Sequence, residues 1–323
     1  MKALVLRDIQ TAAITDLPLP AINEHQVLVR NHFCAVCNAT DTKMYNGKHA
    51  TVRYPSVIGH EGSGIVAAVG SAVTAVQPGD RVLGAGYPAS EQIGSFWGQY
   101  AEYGVTDEGS IIRIPDEVTL EQATLSHMLG EALNALEISG AKIGDNLLII
   151  GCGAVGLSIL TVALHSYADH IIMVDIADDK LAKAKALGAS QIINSSRENV
   201  PERVRELTGD RGVQVVFEAV GHPSTYQLAY DLVNENGTII PFGLIEGTLE
   251  IPFRRLYAKQ IQIRWCRSAG NHGQLYKKII LDMLARGLIN PAPLITGIRD
   301  LSDFAETIRE IQAGKHIRTL IRI

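Results

Sequence analysis

One segment constrains this chain more than any other: Asn146-Leu-Leu-Ile-Ile-Gly-Cys-Gly-Ala-Val-Gly156, an apolar run of strand length that ends in G-x-G-x-x-G and opens a helical pattern. Each glycine in such a turn has its own task. Gly151 permits the tight turn, Gly153 lets the backbone approach a pyrophosphate, and Gly156 lets the helix pack on the strand. The first turn of that helix, with Ala154 and Val155, offers free N–H groups and a positive dipole end to phosphates. The next strand ends at Asp175, about 20 residues beyond Gly156, where a carboxylate accepts ribose hydroxyls. The segment therefore predicts a dinucleotide site. Asp175 repels a 2′-phosphate and so favours NAD over NADP. Lys180, one turn into the following helix, is a candidate for the same ribose, or else a solvated surface lysine. Val220, after a later strand, is a further cofactor candidate.

The surrounding chain supports a doubly wound α/β fold. Strands are expected at 146–150, 170–174, 191–193, 213–218, 238–241 and 260–265, with helices at 154–165, 179–187, 200–207 and 224–234. Short apolar strands alternating with helices imply a parallel sheet covered on both faces. Six such strands match the doubly wound dinucleotide fold in number.

Before residue 119 the texture differs. Short strands separated by Gly and Pro are expected at 2–6, 26–34, 63–69, 81–83, 100–105 and 111–114, with no long helical pattern. A helix is expected over 120–140, starting at a Thr119 cap. A last helical stretch over 273–286 leads to a strand-like 319–323. At 323 residues the chain exceeds one typical domain. The expected division is a β-rich domain over 1–126, completed by 273–323, and a dinucleotide-binding domain over 127–272.

Composition excludes other classes. The formal charge is −5, with Lys and Arg scattered, so a nucleic-acid or anionic-membrane partner has no electrostatic support. No run of apolar residues is long enough for a signal peptide or a membrane span. Four cysteines, Cys34, Cys37, Cys152 and Cys266, are too few for a disulfide framework in this length. A cytoplasmic protein is expected.

Cys37 and the run Val57-Ile-Gly-His-Glu-Gly-Ser-Gly64 contain residue types that bind zinc, and a catalytic zinc uses three protein ligands plus an open position. Residue type alone leaves the question even. A solitary cysteine is more often a small core residue, and His60–Glu61 reads equally as a surface pair.

Longer runs carry a resemblance. Cys37-Asn-Ala-Thr-Asp41, Tyr45-Asn-Gly47, Gly59-His-Glu-Gly-Ser-Gly64 and Pro78-Gly-Asp-Arg-Val82 resemble the medium-chain, zinc-dependent alcohol dehydrogenase family. So do the 151–156 turn, Asp175 with Lys180, Ala182-Lys-Ala-Lys-Ala-Leu-Gly-Ala189 and Gly314-Lys-His-Ile-Arg-Thr319. The resemblance spans nearly the whole chain and implies a GroES-like catalytic domain beside the Rossmann domain. It implies Cys37 and His60 as zinc ligands, and Glu61 as a glutamate that ligates directly, through water or in exchange with substrate. The family's last ligand falls at His127, a departure in residue type, with Glu131 one turn further as the alternative. Thr40 and Asp41 match a Ser/Thr-Asp pair: the hydroxyl relays the alcohol proton, and the aspartate orients the ligand histidine. One extra residue separates this pair from Cys37. Arg318 matches an arginine that pairs with the cofactor pyrophosphate.

Four closely spaced cysteines that hold a structural zinc in many relatives are missing, so one catalytic zinc is expected and no structural one. The implied reaction is reversible hydride transfer between an alcohol, of the secondary or polyol class, and NAD. Thr40 passes the proton towards solvent, with His49 as its next station. Phe96, Trp97, Tyr45, Tyr87 and Trp265 are candidates for a substrate wall, although aromatic residues more often serve the core. The expected partners are a small-molecule alcohol or carbonyl compound and further copies of the chain, as a homodimer or homotetramer. Two other readings stay open: a zinc-free enone or quinone reductase, and a catalytically silent NAD-binding protein.

Overall fold

An uninterrupted apolar run places Ala3, Leu4, Val5 and Leu6 of the first strand in the interior, buried on both faces. The computed structural model describes residues 1–245, 247–266 and 272–323. The described chain divides into two compact units, Met1–His127 with Lys277–Ile323, and Met128–Tyr276.

The first unit opens with β1 (Lys2–Asp8), β2 (Thr11–Asp16), β3 (Gln26–Ala35) and the short helix α1 (Thr40–Tyr45). It continues through β4 (Ser56–Val57), β5 (Gly62–Val69), β6 (Arg81–Leu83), β7 (Gly94–Ser95), β8 (Tyr103–Asp107) and α2 (Leu120–Thr124). Thr119 caps α2 through a reciprocal capping box with Gln122. The single helix expected over 120–140 is in fact two, because α2 ends at Leu125 and α3 (Ser126–Ser139) starts afresh. No strand forms over 111–114 either; that stretch contributes an isolated bridge between Arg113 and Val82.

The second unit alternates β9 (Asn146–Ile150), α4 (Ala154–Ala163), β10 (His170–Asp175), α5 (Asp178–Leu187), β11 (Gln191–Asn194), α6 (Val200–Thr208), β12 (Val213–Glu218), α7 (Pro223–Leu232), β13 (Val233–Pro241), α8 (Phe253–Ala258) and β14 (Gln262–Ile263). All pairings are parallel, in the order β11-β10-β9-β12-β13-β14. This is the doubly wound order, and its reversal point lies at β9, whose five residues are all buried.

The chain then runs through α9 (Gly273–Ala285) to β15 (Ile295–Asp300), α10 (Phe304–Gln312) and β16 (Arg318–Arg322). In the first unit β2-β1-β4-β7 form one sheet. A second has the order β15-β16-β3-β5-β6, with β8 also paired to β3. Phe304, Ile308 and Ile311 of α10 pack with Leu4, Leu6, Met44, Ile58 and Tyr100 in one core cluster. Each such side chain, fully buried, contributes about 1.5–3 kcal/mol. No helix among the described residues is long and apolar enough to cross a membrane.

Candidate functional site

Strand β3 ends at Ala35, and Ala35 N–H donates to the Glu61 carbonyl at 2.9 Å, which sets the loop after β3 beside the entry to β5. On the other side of β3, strand β16 pairs antiparallel, and Val36 N–H donates to the Thr319 carbonyl at 2.9 Å. These two pairings bring together residues far apart in sequence. The ligand atoms of Cys37, His60 and Glu61 all lie within 4.8 Å of one another, as a group of three potential metal ligands among the described residues. His127 is outside this group of three, but its ring packs edge-on against His60, with centroids 5.3 Å apart. Glu131 lies one turn further along α3.

Around this group the chain is charged and nearly dry. His60 Nε2 is 3.4 Å from Glu61 Oε1, and the Glu61 side chain is 3% exposed. Glu61 also pairs with the Arg318 guanidinium, which is 2% exposed and donates Nη1 to the Val36 carbonyl at 2.8 Å. Asp41 is fully buried in α1; its Oδ2 accepts the Cys37 N–H at 3.0 Å and the Tyr100 hydroxyl at 2.6 Å. Its Oδ1 faces His60 Nδ1 at 3.9 Å, and neither atom has a hydrogen-bond partner among the described residues. Thr40 N–H points to Cys37 Sγ at 3.4 Å, which places Thr40 next to that sulfur. His49 stands apart from the ligand group, its ring against Phe96, while Phe96 packs on Trp97 and Trp97 on His60.

Protonation follows from these neighbours. Burial alone raises the Cys37 thiol, but the His60 hydrogen bond and charge, with Arg318 behind, outweigh it and bring it down to about 7. For His60, burial lowers the imidazole, and Cys37 and Asp41 reverse this and raise it. Burial, then the charges of Lys277 and His60, hold His127 neutral down to about 3. Burial and Lys43 lower His49. The donor set fits a zinc site in chemistry: a thiol near neutrality, imidazoles and a carboxylate. The buried, unpartnered His60–Asp41 couple is what a ligating histidine with a carboxylate behind it requires.

In the second unit the glycine turn has the shape the sequence requires. Gly151 adopts φ +103°, and a Cβ on Gly156 would stand 1.8 Å from the Gly151 carbonyl oxygen. A Cβ on Gly153 would meet nothing within 4 Å, which leaves open space over the N-terminus of α4 at Ala154 and Val155. Asp175 braces the turn: Oδ2 accepts the Cys152 N–H at 2.7 Å and Oδ1 accepts the Ala177 N–H at 3.0 Å. Lys180 is half-buried on α5, close enough to act on the Cys152 thiol. Val220, 51% exposed, borders Gly151. Behind it the buried Glu218 carboxylate accepts the Val220 and Gly221 N–H groups at 3.0 Å and the Thr225 hydroxyl at 2.7 Å. Sequence reasoning missed Tyr100, Glu218 and the Arg318–Glu61 pair, because no local pattern encodes which distant group a buried polar side chain will meet.

The chain thus has two units, one with a glycine-rich turn after a parallel strand and one, rich in β-structure, with a metal-ligand cluster. The family described as "Alcohol dehydrogenase GroES-like domain" matches residues 23–116, and "Zinc-binding dehydrogenase" matches residues 154–286. The chain is similar to the D-xylulose reductase A of Aspergillus oryzae, 27% identical over 345 residues and covering 99% of this chain and 96% of the relative. It is also similar to the L-threonine 3-dehydrogenase of Anaeromyxobacter sp. (strain Fw109-5), 27% identical over 326 residues with 94% of each chain covered. Among solved structures it resembles the 2R,3R-butanediol dehydrogenase of Bacillus subtilis, with a TM-score of 0.89, 25% identity, and 100% and 99% of the two chains covered. The chain belongs to the medium-chain zinc-binding alcohol dehydrogenase family, as an NAD(P)-dependent oxidoreductase.

Proposed function

We propose that this chain oxidises secondary alcohols or polyols to ketones with NAD, using one zinc ion held by Cys37, His60 and His127 (Glu131 as the alternative), with Glu61 as a ligand that exchanges with substrate. The observation that carries this reading is the convergence of Cys37, His60 and Glu61 within 4.8 Å, in front of the unpartnered His60–Asp41 couple. The names of the relatives support the substrate class: one is a reductase of a ketose, and the other two act on threonine and butanediol, both secondary alcohols.

When bound, zinc supplies Lewis acidity at the substrate oxygen, and NAD supplies the hydride acceptor. The chain's own residues do the rest. Thr40, beside Cys37, takes the alcohol proton on its hydroxyl. His49, whose proton affinity is lowered by burial and Lys43, passes it to solvent as a neutral imidazole. Asp41 holds the His60 ring by its free oxygen. Arg318, with its charge on Glu61, positions that glutamate in addition to the pyrophosphate contact that the resemblance implies. On the cofactor side the open space at Gly153 admits the pyrophosphate, and Asp175 selects NAD. The β-rich unit is read as catalytic, the parallel-sheet unit as cofactor-binding, and the assembly as a homodimer or homotetramer.

The test is metal quantification together with an NAD- and NADP-linked screen of secondary alcohols, polyols, amino alcohols and enones. About one zinc per chain and NAD-linked turnover of secondary alcohols are expected. Zinc-free protein fully active on enones would overturn the metal reading. NAD binding without turnover in any arm would favour a silent NAD-binding protein.

A further inference from the structure

Asp41 has one oxygen committed and one free. A carboxylate is an acceptor with room for several donors, and Oδ2 takes two, the Cys37 N–H at 3.0 Å and the Tyr100 hydroxyl at 2.6 Å. Those two bonds fix the rotation of the carboxylate and leave Oδ1 facing His60 Nδ1 at 3.9 Å. Tyr100 is itself held rigidly. It is 0% exposed, its ring meets Phe304 edge-on with centroids 5.3 Å apart, and its N–H donates to the Ile58 carbonyl at 2.9 Å. The backbone just before His60 wraps over the same ring. Gly59 adopts φ +99°, and a Cβ there would stand 2.9 Å from Tyr100 Cδ2. Tyr100 thus touches both the turn that carries His60 and the carboxylate behind it.

We propose that Tyr100 is a positioning residue for the metal centre. Its hydroxyl fixes Asp41 so that the free oxygen orients the His60 imidazole, and its ring supports the Gly59 turn that presents His60. The proposal rests on the zinc reading above and extends it from the ligands to what aims them. Outer partners of metal-ligating histidines change metal affinity by roughly 10–100-fold when removed. Tyr100 acts through Asp41, so its effect requires that carboxylate. A purely structural role, satisfying a buried acid, predicts the opposite: lower stability of the metal-free chain with zinc affinity unchanged.

The experiment is competition for Zn²⁺ against a chromogenic chelator, using the full chain as wild type, Tyr100→Phe, Asp41→Asn and the double variant. Phenylalanine keeps the ring against Gly59 and Phe304, and melting of each metal-free variant is measured alongside. Tyr100→Phe is expected to weaken zinc binding roughly 10-fold, Asp41→Asn at least as much, and the double variant no more than Asp41→Asn alone. Zinc affinity of Tyr100→Phe within about twofold of wild type would overturn the proposal. So would an undiminished Tyr100→Phe effect in the Asp41→Asn background. If Tyr100→Phe does not fold, 3,5-difluorotyrosine placed at position 100 keeps the shape and strengthens the donor; an altered zinc affinity is expected, and an unchanged one overturns the idea. A wild-type chain that takes up no zinc overturns both this proposal and the metal reading, whereas zinc uptake with an indifferent Tyr100→Phe overturns this proposal alone.

Discussion

Arg318 and Glu61, 257 positions apart in the chain, meet as a buried ion pair whose side chains are 2% and 3% exposed. Removing one partner of such a pair strands the other charge away from water. Arg318→Met is therefore expected to destabilise the fold by about 3–5 kcal/mol, read from urea unfolding. Replacing both, as Arg318→Met with Glu61→Leu, should recover most of that loss. A single variant as stable as wild type would contradict the pairing.

Cys37 gives a spectroscopic prediction. In metal-free protein its thiol sits at about 7, because His60 and Arg318 overcome the effect of burial. Thiolate absorbance near 240 nm should then rise around neutrality, below the ordinary cysteine value of about 8.5. His60→Phe removes the hydrogen bond and should move that rise upward by more than one pH unit. A wild-type titration at the ordinary value would refute the Cys37–His60 contact.

His127 links acid to stability. Its folded-state value is depressed to about 3, while the unfolded chain takes up the proton near the ordinary value of 6.5. The unfolded state therefore binds more protons between these two values. The contribution is fully present above the unfolded value and is lost as pH falls towards the folded one, with a slope of at most about 1.4 kcal/mol per pH unit. Urea midpoints of metal-free protein at neutral and mildly acid pH should show this slope. His127→Leu should flatten it, and identical slopes would dismiss the idea.

The two later glycines of the turn should fail in different ways. Gly153 has φ −80° and open space where a Cβ would go, so Gly153→Ala should leave stability unchanged or raise it by up to about 1 kcal/mol. The same substitution should weaken NADH binding in a fluorescence titration, because the methyl group enters the space left for pyrophosphate. Gly156→Ala meets the Gly151 carbonyl at 1.8 Å and should lower the melting temperature itself, at a cost of about 1–3 kcal/mol. Equal NADH affinity of Gly153→Ala and wild type would place the pyrophosphate elsewhere.

What was legible in the sequence follows a physical division. The parallel-sheet unit was readable because β9 carries four consecutive apolar residues, Leu147 to Ile150, followed by a turn built on glycine, and its neighbours repeat the pattern. Strands β2, β4 and β7 were missed. They are short or half-exposed, and exist because a partner strand satisfies their backbone. Helix α10 was missed although Phe304, Thr307, Ile308 and Ile311 are buried at helical spacing. A threonine on the inward face and charged residues between obscured the period. At the site, Cys37 and His60–Glu61 were legible as residue types. Their convergence, and the hydroxyl that Tyr100 lends to Asp41, depend on strand pairings that no local window contains.

Strand β16 lies against β3, and Arg318 reaches the Val36 carbonyl across 282 positions of sequence. This fixes an order of events during synthesis. While the ribosome is still making the β-rich unit and then the parallel-sheet unit, Glu61 lacks the Arg318 guanidinium and the loop after Val36 lacks the strand that pairs with it. Strand β16 supplies both. Until it is made, a nascent chain lacks the charge and the strand that brace the Glu61 side of the ligand set. A chain ending at Gln312 should accordingly bind Zn²⁺ far more weakly than one that includes β16, and equal affinity would show that the ligands assemble without β16.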